Sequence, residues 1–263
     1  MDLDLKGKIA LVTGASRGLG FATARGLALE GASVALNSRN PEKLAKAVEV
    51  LKGESGSPVI ACAGDVADPV LPERLVSQTV QAFGGLDLLF TNAGGPPSGL
   101  FEGFDDNTWY KAIELSLMSH VRLIRAALPH LRRSKSASVL AVTSYSVKQP
   151  IPNLVLSNSV RAATVGLIKS LALELGADGI RFNSILPAWT ETERVQDLMA
   201  ARAKTNQSTV EREIQKQSLD SPLGRMGRPE EFANAAVFLL SPAASYITGV
   251  MLTVDGGMYK GML

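Results

Sequence analysis

One α/β domain built on a parallel sheet is what the 263 residues predict, and three observations carry the prediction. Short apolar runs alternate with helix-patterned segments from one end of the chain to the other. Those runs are nearly continuous in apolar residues rather than alternating with polar ones, the pattern of strands buried on both faces of a parallel sheet. No Pro/Gly/Ser-rich linker or compositional break divides the chain, so residues 1–263 are expected to form a single unit.

The runs come in the order KIALVTG, SVALNSR, PVIACAG, LDLLFTNAG, SVLAVTS, IRFNSILP and VMLTVDGG, which sets the expectation of about seven strands. Between them, Asn40-Pro41 and Asp68-Pro69 each place a capping side chain ahead of a proline suited to a first helical position. A longer amphipathic helical pattern covers the stretch LSNSVRAATVGLIKSLALEL, 156–175. Repeated strand–helix units with right-handed crossovers give a doubly wound, Rossmann-type sheet flanked by helices. Residues 188–228 are polar, charged and irregularly spaced, and are expected to form a partly helical flap over a site.

Charge narrows the partners. Lys plus Arg is 27 against 25 for Asp plus Glu, a formal +2 with the basic residues scattered, which argues against nucleic acid. The opening MDLDLKGKIALV lacks a basic segment followed by an apolar stretch, and no run of about 18 apolar residues occurs, so a soluble, cytoplasmic protein with no membrane association is expected. Cys62 is the single cysteine and sits in an apolar run, where an inert buried thiol is expected. His120 and His130 form no spaced cluster with acids, so no metal site is predicted.

TGASRGLG, residues 13–20, links the first strand to the first helix. Glycines there allow a tight turn and let backbone N–H groups approach a phosphate, at which the following helix points its positive end. A glycine pattern alone is weak; its position between strand and helix is the context a dinucleotide site requires. The second strand ends on Ser38, where an acid would grip the ribose hydroxyls. With no carboxylate to repel a 2′-phosphate, and with Arg39 and Arg17 able to pair with one, NADP(H) is favoured over NAD(H).

Taken with GDVAD at 64–68, TNAGG at 91–95, PLGRMGRPEE at 222–231 and SYITGVMLTVDGG at the end, the chain resembles the short-chain dehydrogenase/reductase family, and within it bacterial 3-oxoacyl-acyl-carrier-protein reductases. The resemblance covers essentially the whole chain. It implies that Gly14, Ser16, Arg17, Gly18, Leu19 and Gly20 wrap the adenosine phosphates and ribose, that Asp65 and Val66 contact adenine, and that Asn92, Ala93 and Gly94 line the cofactor. Asp65 and Asn92 read equally as turn-forming residues. Pro187 and Thr192 match the proline and threonine of a motif near the nicotinamide, whose glycine is here Ala188; Thr91 stands where the family often has asparagine.

The same resemblance implies hydride transfer between a nicotinamide and a carbonyl or alcohol, acyl thioesters among the candidate substrates, and homotetramers assembled through two long helices, one near residues 108–131 and the other at 156–175. The family's catalytic groups are Asn, Ser, Tyr and Lys. Ser144 matches the serine, Ser116 stands at the asparagine, Ser157 falls thirteen residues after Ser144 where the tyrosine belongs, and Arg161 follows four later in place of lysine. A phenol has a reference pKa near 10 that a neighbouring cation can lower, whereas a serine hydroxyl is a far weaker acid on a shorter arm. Arg161 can hold a ribose hydroxyl or stabilise an oxyanion but stays charged, so it cannot pass a proton on.

Three readings remain open on sequence. Hydride transfer proceeds from cofactor positioning and an oxyanion site of Ser144 and Arg161, with water or another group as acid. Alternatively the fold binds a nucleotide without chemistry, as a sensor, regulator or assembly partner. In the third, Tyr145 and Lys148, directly after Ser144, supply a relocated acid.

Overall fold

The computed structural model describes residues 2–262. All seven expected runs form strands: β1 (Ile9–Val12), β2 (Ser33–Ser38), β3 (Val59–Ala63), β4 (Leu88–Thr91), β5 (Ser138–Val142), β6 (Arg181–Pro187) and β7 (Met251–Val254). They pair in parallel throughout, in the order β3-β2-β1-β4-β5-β6-β7. Winding runs outward from β1 to β3, then returns to β4 on the other side of β1. The strand order therefore reverses between β1 and β4, and a doubly wound sheet opens a crevice at such a point, beyond the carboxyl ends of its strands.

The helices are α1 (Gly18–Leu29), α2 (Pro41–Ser55), α3 (Leu71–Phe83), α4 (Asp106–Ile113), α5 (Ser119–Leu131), α6 (Val155–Glu174), α7 (Glu193–Thr205), α8 (Val210–Ser218) and α9 (Pro229–Leu240). Successive strand residues serve opposite layers. Ala10 and Val12 of β1 pack with α1, α2 and α9, while Leu11 between them packs with α3, α5 and α6. Both sheet faces are thus dry, which is why the strands read as continuous apolar runs. Each fully buried Leu or Phe side chain adds about 1.5–3 kcal/mol. The edge-on pair Phe90–Phe232, with centroids 6.5 Å apart, pins α9 across β4.

Asn40 caps α2 as expected, its side chain accepting from Lys43 N at 2.8 Å with Pro41 at the first turn. The expected start of α3 at Asp68-Pro69 is corrected by the structure. Asp68 accepts from Val70 N at 3.1 Å within a preceding turn, and the helix begins at Leu71 with Pro72 in its first turn. The segment expected as one helix near 108–131 is α4 and α5 joined by a π-helical turn, Glu114–Met118. Within residues 188–228 lie α7 and α8, capped by Thr192 and Thr209. They close on an apolar cluster of their own, Trp189, Val195, Met199, Met226 and Met258, with the Arg202 guanidinium 4.7 Å over the Trp189 ring. No helix among the described residues is long and apolar enough to cross a membrane.

Candidate active site

A cleft of about 490 Å³ opens where β1, β4, β5 and β6 end. At one end is the glycine turn. Gly14 sits at φ +62°, and a Cβ on it would stand 2.8 Å from Asn92 Nδ2, so the turn and the end of β4 press together. Asn92 is fixed by Thr13, whose hydroxyl accepts from Asn92 N and donates to Asn92 O, both at 2.8 Å. Gly20, first turn of α1, packs on the Gly14 carbonyl with no room for a side chain. The unpaired N–H groups at the start of α1 are thereby held against the cleft, the geometry and polarity that suit a phosphate.

Ser38 ends β2 with its hydroxyl 2.8 Å from that of Ser16, and no carboxylate stands at that position. Arg39 lies 3.8 Å from Asp65, and Asp65 also accepts from Ala67 N at 3.0 Å, an Asx turn. Arg17 pairs with Glu193 at the first position of α7. Both arginines expected to meet a 2′-phosphate thus face the cleft on exposed side chains with exchangeable acid partners.

The opposite end gathers the hydroxyls. Ser144, extended at the end of β5, accepts from Ser146 N at 3.1 Å. Ser157 and Arg161 share one face of α6, and Arg161 Nε donates to Ser157 Oγ at 3.2 Å. Arg161 is 9% exposed; its Nη1 donates to the carbonyls of Val142, the last residue of β5, and of Thr143 just after it, at 3.2 and 3.0 Å. Burial, with Arg194 adding like charge, pushes its pKa down to about 10, so it stays protonated at neutral pH. The guanidinium therefore braces α6 to β5 and fixes the oxygen of Ser157 at the cleft.

Tyr145 lines the cleft, and burial raises its pKa above the ordinary phenol value. The Lys148 ammonium stands 5.1 Å over the Tyr259 ring, and no hydrogen bond joins it to Tyr145. In the third sequence reading, then, Tyr145 reaches the cleft while the Lys148 ammonium faces the Tyr259 ring.

Beneath this floor His120, 2% exposed, meets Thr91 Oγ1 at 2.7 Å. Burial first, and then the nearby Arg161 charge, pushes its pKa down to about 3. An unfolded chain takes up that proton below about pH 6.5, whereas the native state refuses it down to about pH 3. Between these limits the unfolded state binds more protons, so stability falls as pH falls from about 6.5 toward 3. Urea unfolding at pH 7.5 and pH 5 should show a drop that His120→Asn reduces; an equal drop in both proteins would refute the assignment.

Of the residues expected from sequence, Gly14, Ser16, Arg17, Gly18, Leu19, Arg39, Asp65, Val66, Asn92, Ala93, Gly94, Ser144, Ser157, Arg161, Pro187 and Thr192 all line the cleft. Gly20 stands behind the lining, shaping the turn. Ser116 is not brought to the lining: it sits in the π turn, 2% exposed, its carbonyl accepting from Thr164 Oγ1 at 2.5 Å and its own hydroxyl without a partner. Sequence reasoning missed Arg194, whose only signal was its place two residues after Thr192. Cys62 is buried, and that burial pushes its thiol up to about 11, the inert state expected.

Residues 14–259 match a family model described as enoyl-(acyl carrier protein) reductase. The chain is 36% identical over 259 residues to an L-rhamnose 1-dehydrogenase (NAD(P)(+)) of Sphingomonas sp. (strain SKA58), covering 98% of each protein. It is 34% identical over 259 residues to the 3-oxoacyl-[acyl-carrier-protein] reductase FabG of Vibrio cholerae, covering 98% of this chain and 99% of that one. In structure it superimposes on an L-sorbose reductase from Gluconobacter frateurii complexed with NADPH and L-sorbose, with a TM-score of 0.95, 34% identity and full coverage of both chains. The cleft lies at the switch point of the seven-stranded parallel sheet, the place where doubly wound folds take their ligands. The chain belongs to the short-chain dehydrogenase/reductase family of oxidoreductases.

Proposed function

We propose that the chain is an NADP(H)-dependent carbonyl reductase or alcohol dehydrogenase. In this reading Ser144, Ser157 and Arg161 bind the substrate oxygen, and water carries the proton a tyrosine would otherwise supply. The observation that carries it is the Arg161–Ser157 hydrogen bond at the floor of the cleft. A hydroxyl whose lone pair takes an N–H keeps its own proton for another acceptor. Ser157, accepting from Arg161, and Ser144, accepting from Ser146 N, are therefore both set to donate to a carbonyl oxygen. The buried guanidinium adds positive charge where negative charge develops during reduction, and charge preorganised in a low-dielectric site acts strongly.

The cofactor fits on structural grounds: glycine at positions 14 and 20 lets the turn close against Asn92 and the first turn of α1, which keeps the N–H groups at the start of α1 against the cleft, and Asn92 Nδ2 donates to the Gly14 carbonyl at 3.4 Å to hold that turn beside β4. Gly14, Ser16, Arg17, Gly18 and Leu19 would hold the phosphates, Asp65 and Val66 the adenine, and Ala93, Gly94, Pro187 and Thr192 the nicotinamide half. A nicotinamide dinucleotide supplies or accepts the hydride. Residues 188–228 would cover the substrate, with the Arg17–Glu193 pair tying α7 to the glycine turn. Losing one general acid lowers a rate by about 10²–10⁴-fold rather than to nothing, so slow turnover is the expected behaviour.

The test is NADPH fluorescence on binding, followed by NADPH oxidation with simple ketones, ketoses and 3-oxoacyl thioesters. Turnover that falls in Ser144→Ala and in Ser157→Ala supports the reading. Tight NADPH binding with turnover no greater than that of Ser144→Ala would sink it.

Preference for the 2′-phosphate is tested at Ser38. Ser38→Asp puts a carboxylate at the ribose hydroxyls beside Ser16 and is expected to weaken NADPH by roughly 10- to 100-fold while sparing or tightening NADH. Unchanged discrimination in that variant would remove the argument for NADP(H).

A further inference from the structure

Two guanidinium groups in the cleft lack the anions such groups normally have. Arg161 is buried, yet its polar partners are the Ser157 hydroxyl and two carbonyls, and no carboxylate pairs with it among the described residues. Its Nη2 has no acceptor among those residues. Arg194, in the first turn of α7, lines the same cleft, and its guanidinium makes neither a hydrogen bond nor an ion pair among them. Its neighbour Glu193 is engaged with Arg17.

The two meet at Gly95. A Cβ built there would stand 3.6 Å from Arg194 Nη2 and 3.8 Å from Arg161 Nη2, so both forks bracket one residue that has no side chain. Arg194 acts on Arg161 as a like charge, lowering its pKa. A buried charge without a counter-charge is costly, and two cations converging on a cleft raise that cost. An oxyanion between them reverses the sign, because each guanidinium offers a planar pair of N–H donors matched to carboxylate or phosphate.

We infer that Arg161 and Arg194 form a two-sided clamp at Gly95 for an oxyanion of a bound ligand. The ligand group is either an acid group on the substrate, held beside the hydroxyls of Ser144 and Ser157, or a phosphate of the dinucleotide. Arg194 is thereby a binding residue contributed by the segment that covers the site. The inference rests on the proposed dinucleotide–carbonyl reading for the identity of the ligand, while the clamp itself is tested without turnover.

Calorimetry on the full chain decides it, with wild type compared with Arg194→Gln and Arg194→Lys. Arg194 is exposed, so its variants fold even where an Arg161 variant fails. The probes are inorganic pyrophosphate and NADPH on the free protein, and 3-oxobutanoate and its methyl ester on the protein saturated with NADP⁺. Arg194→Gln is expected to weaken at least one anionic probe about tenfold while leaving the ester unchanged, and Arg194→Lys to recover part of the loss. Loss confined to 3-oxobutanoate supports the clamp with the acid on the substrate; loss on NADPH or pyrophosphate supports it with a cofactor phosphate. Wild type and Arg194→Gln agreeing within about twofold on every anion, weak binding by both included, overturns the inference, as does a loss that Arg194→Lys leaves unrepaired. Because pyrophosphate binding involves no hydride transfer, absence of turnover in the kinetic assays would count against the proposed activity alone.

Discussion

Replacing Ser157 by Tyr and Arg161 by Lys in one chain is expected to raise the rate of NADPH oxidation by a carbonyl substrate about 10²-fold. The double change introduces a donor with a reference pKa near 10 and a cation that can lower it, where serine offers neither the acidity nor the reach. One well-placed general acid is worth about 10²–10⁴-fold, and the lower end is appropriate because the site has not been selected around the new pair. Space permits the phenol: Ser157 lines an open cleft rather than the packed core. Ser157→Tyr alone is expected to gain less, since Arg161 Nε lies 3.2 Å from the oxygen being replaced and its Nη1 is anchored to Val142 and Thr143. Lysine has donors for those carbonyls on a slimmer head. The distinguishing measurement is the pH profile of single-turnover oxidation, where the double variant acquires a limb from the new acid. A rate and profile identical to wild type would show that proton supply does not limit this enzyme.

That prediction depends on what could be seen in the chain alone. All seven strands were legible because a strand buried on both faces leaves a continuous apolar run, and Leu11 facing one layer while Ala10 and Val12 face the other is that run seen in three dimensions. The start of α3 was misplaced because two prolines compete for it. Asp68-Pro69 has every local mark of a helix start, but Asp68 closes a separate turn and Pro72 begins the helix. In the site, the Ser157–Arg161 contact follows from four-residue spacing on a helix, a local rule. The family resemblance located Ser116, but not the π turn in which its hydroxyl is buried and its carbonyl accepts from Thr164, 48 residues away. Arg194 lay in a charged stretch resembling any solvated surface, and only the folded chain brings it to Gly95. The His120–Thr91 contact is likewise non-local. Local chemistry was readable; convergence of distant segments was not.

Gly20→Ala is expected to weaken NADPH by about 10²-fold or more and to lower stability by about 1–3 kcal/mol, the range for forcing an atom into a filled site. The added methyl would overlap the Gly14 carbonyl oxygen and stand 2.8 Å from its carbon and 3.1 Å from Ala15 Cα. All three are backbone atoms, so no side chain can swing aside, and either the turn opens or α1 retreats. Retreat is resisted by Leu27 and Ala28, buried in the same layer as α9. The turn therefore gives way, displacing the N–H groups that face the phosphates, and a binding geometry that works at hydrogen-bond distances is lost with a shift of a few tenths of an ångström. Gly53→Ala, in the last turn of α2 with nothing within 4 Å of the place its methyl would take, is the matched control. There alanine should stabilise by up to about 1 kcal/mol through helix propensity and leave NADPH binding untouched. Thermal unfolding with and without NADPH reads both effects, and the ligand-induced rise in Tm should vanish in Gly20→Ala and persist in Gly53→Ala. If Gly20→Ala keeps that rise, the turn at Gly14 does not hold the cofactor, and the assignment of this end of the cleft fails with it.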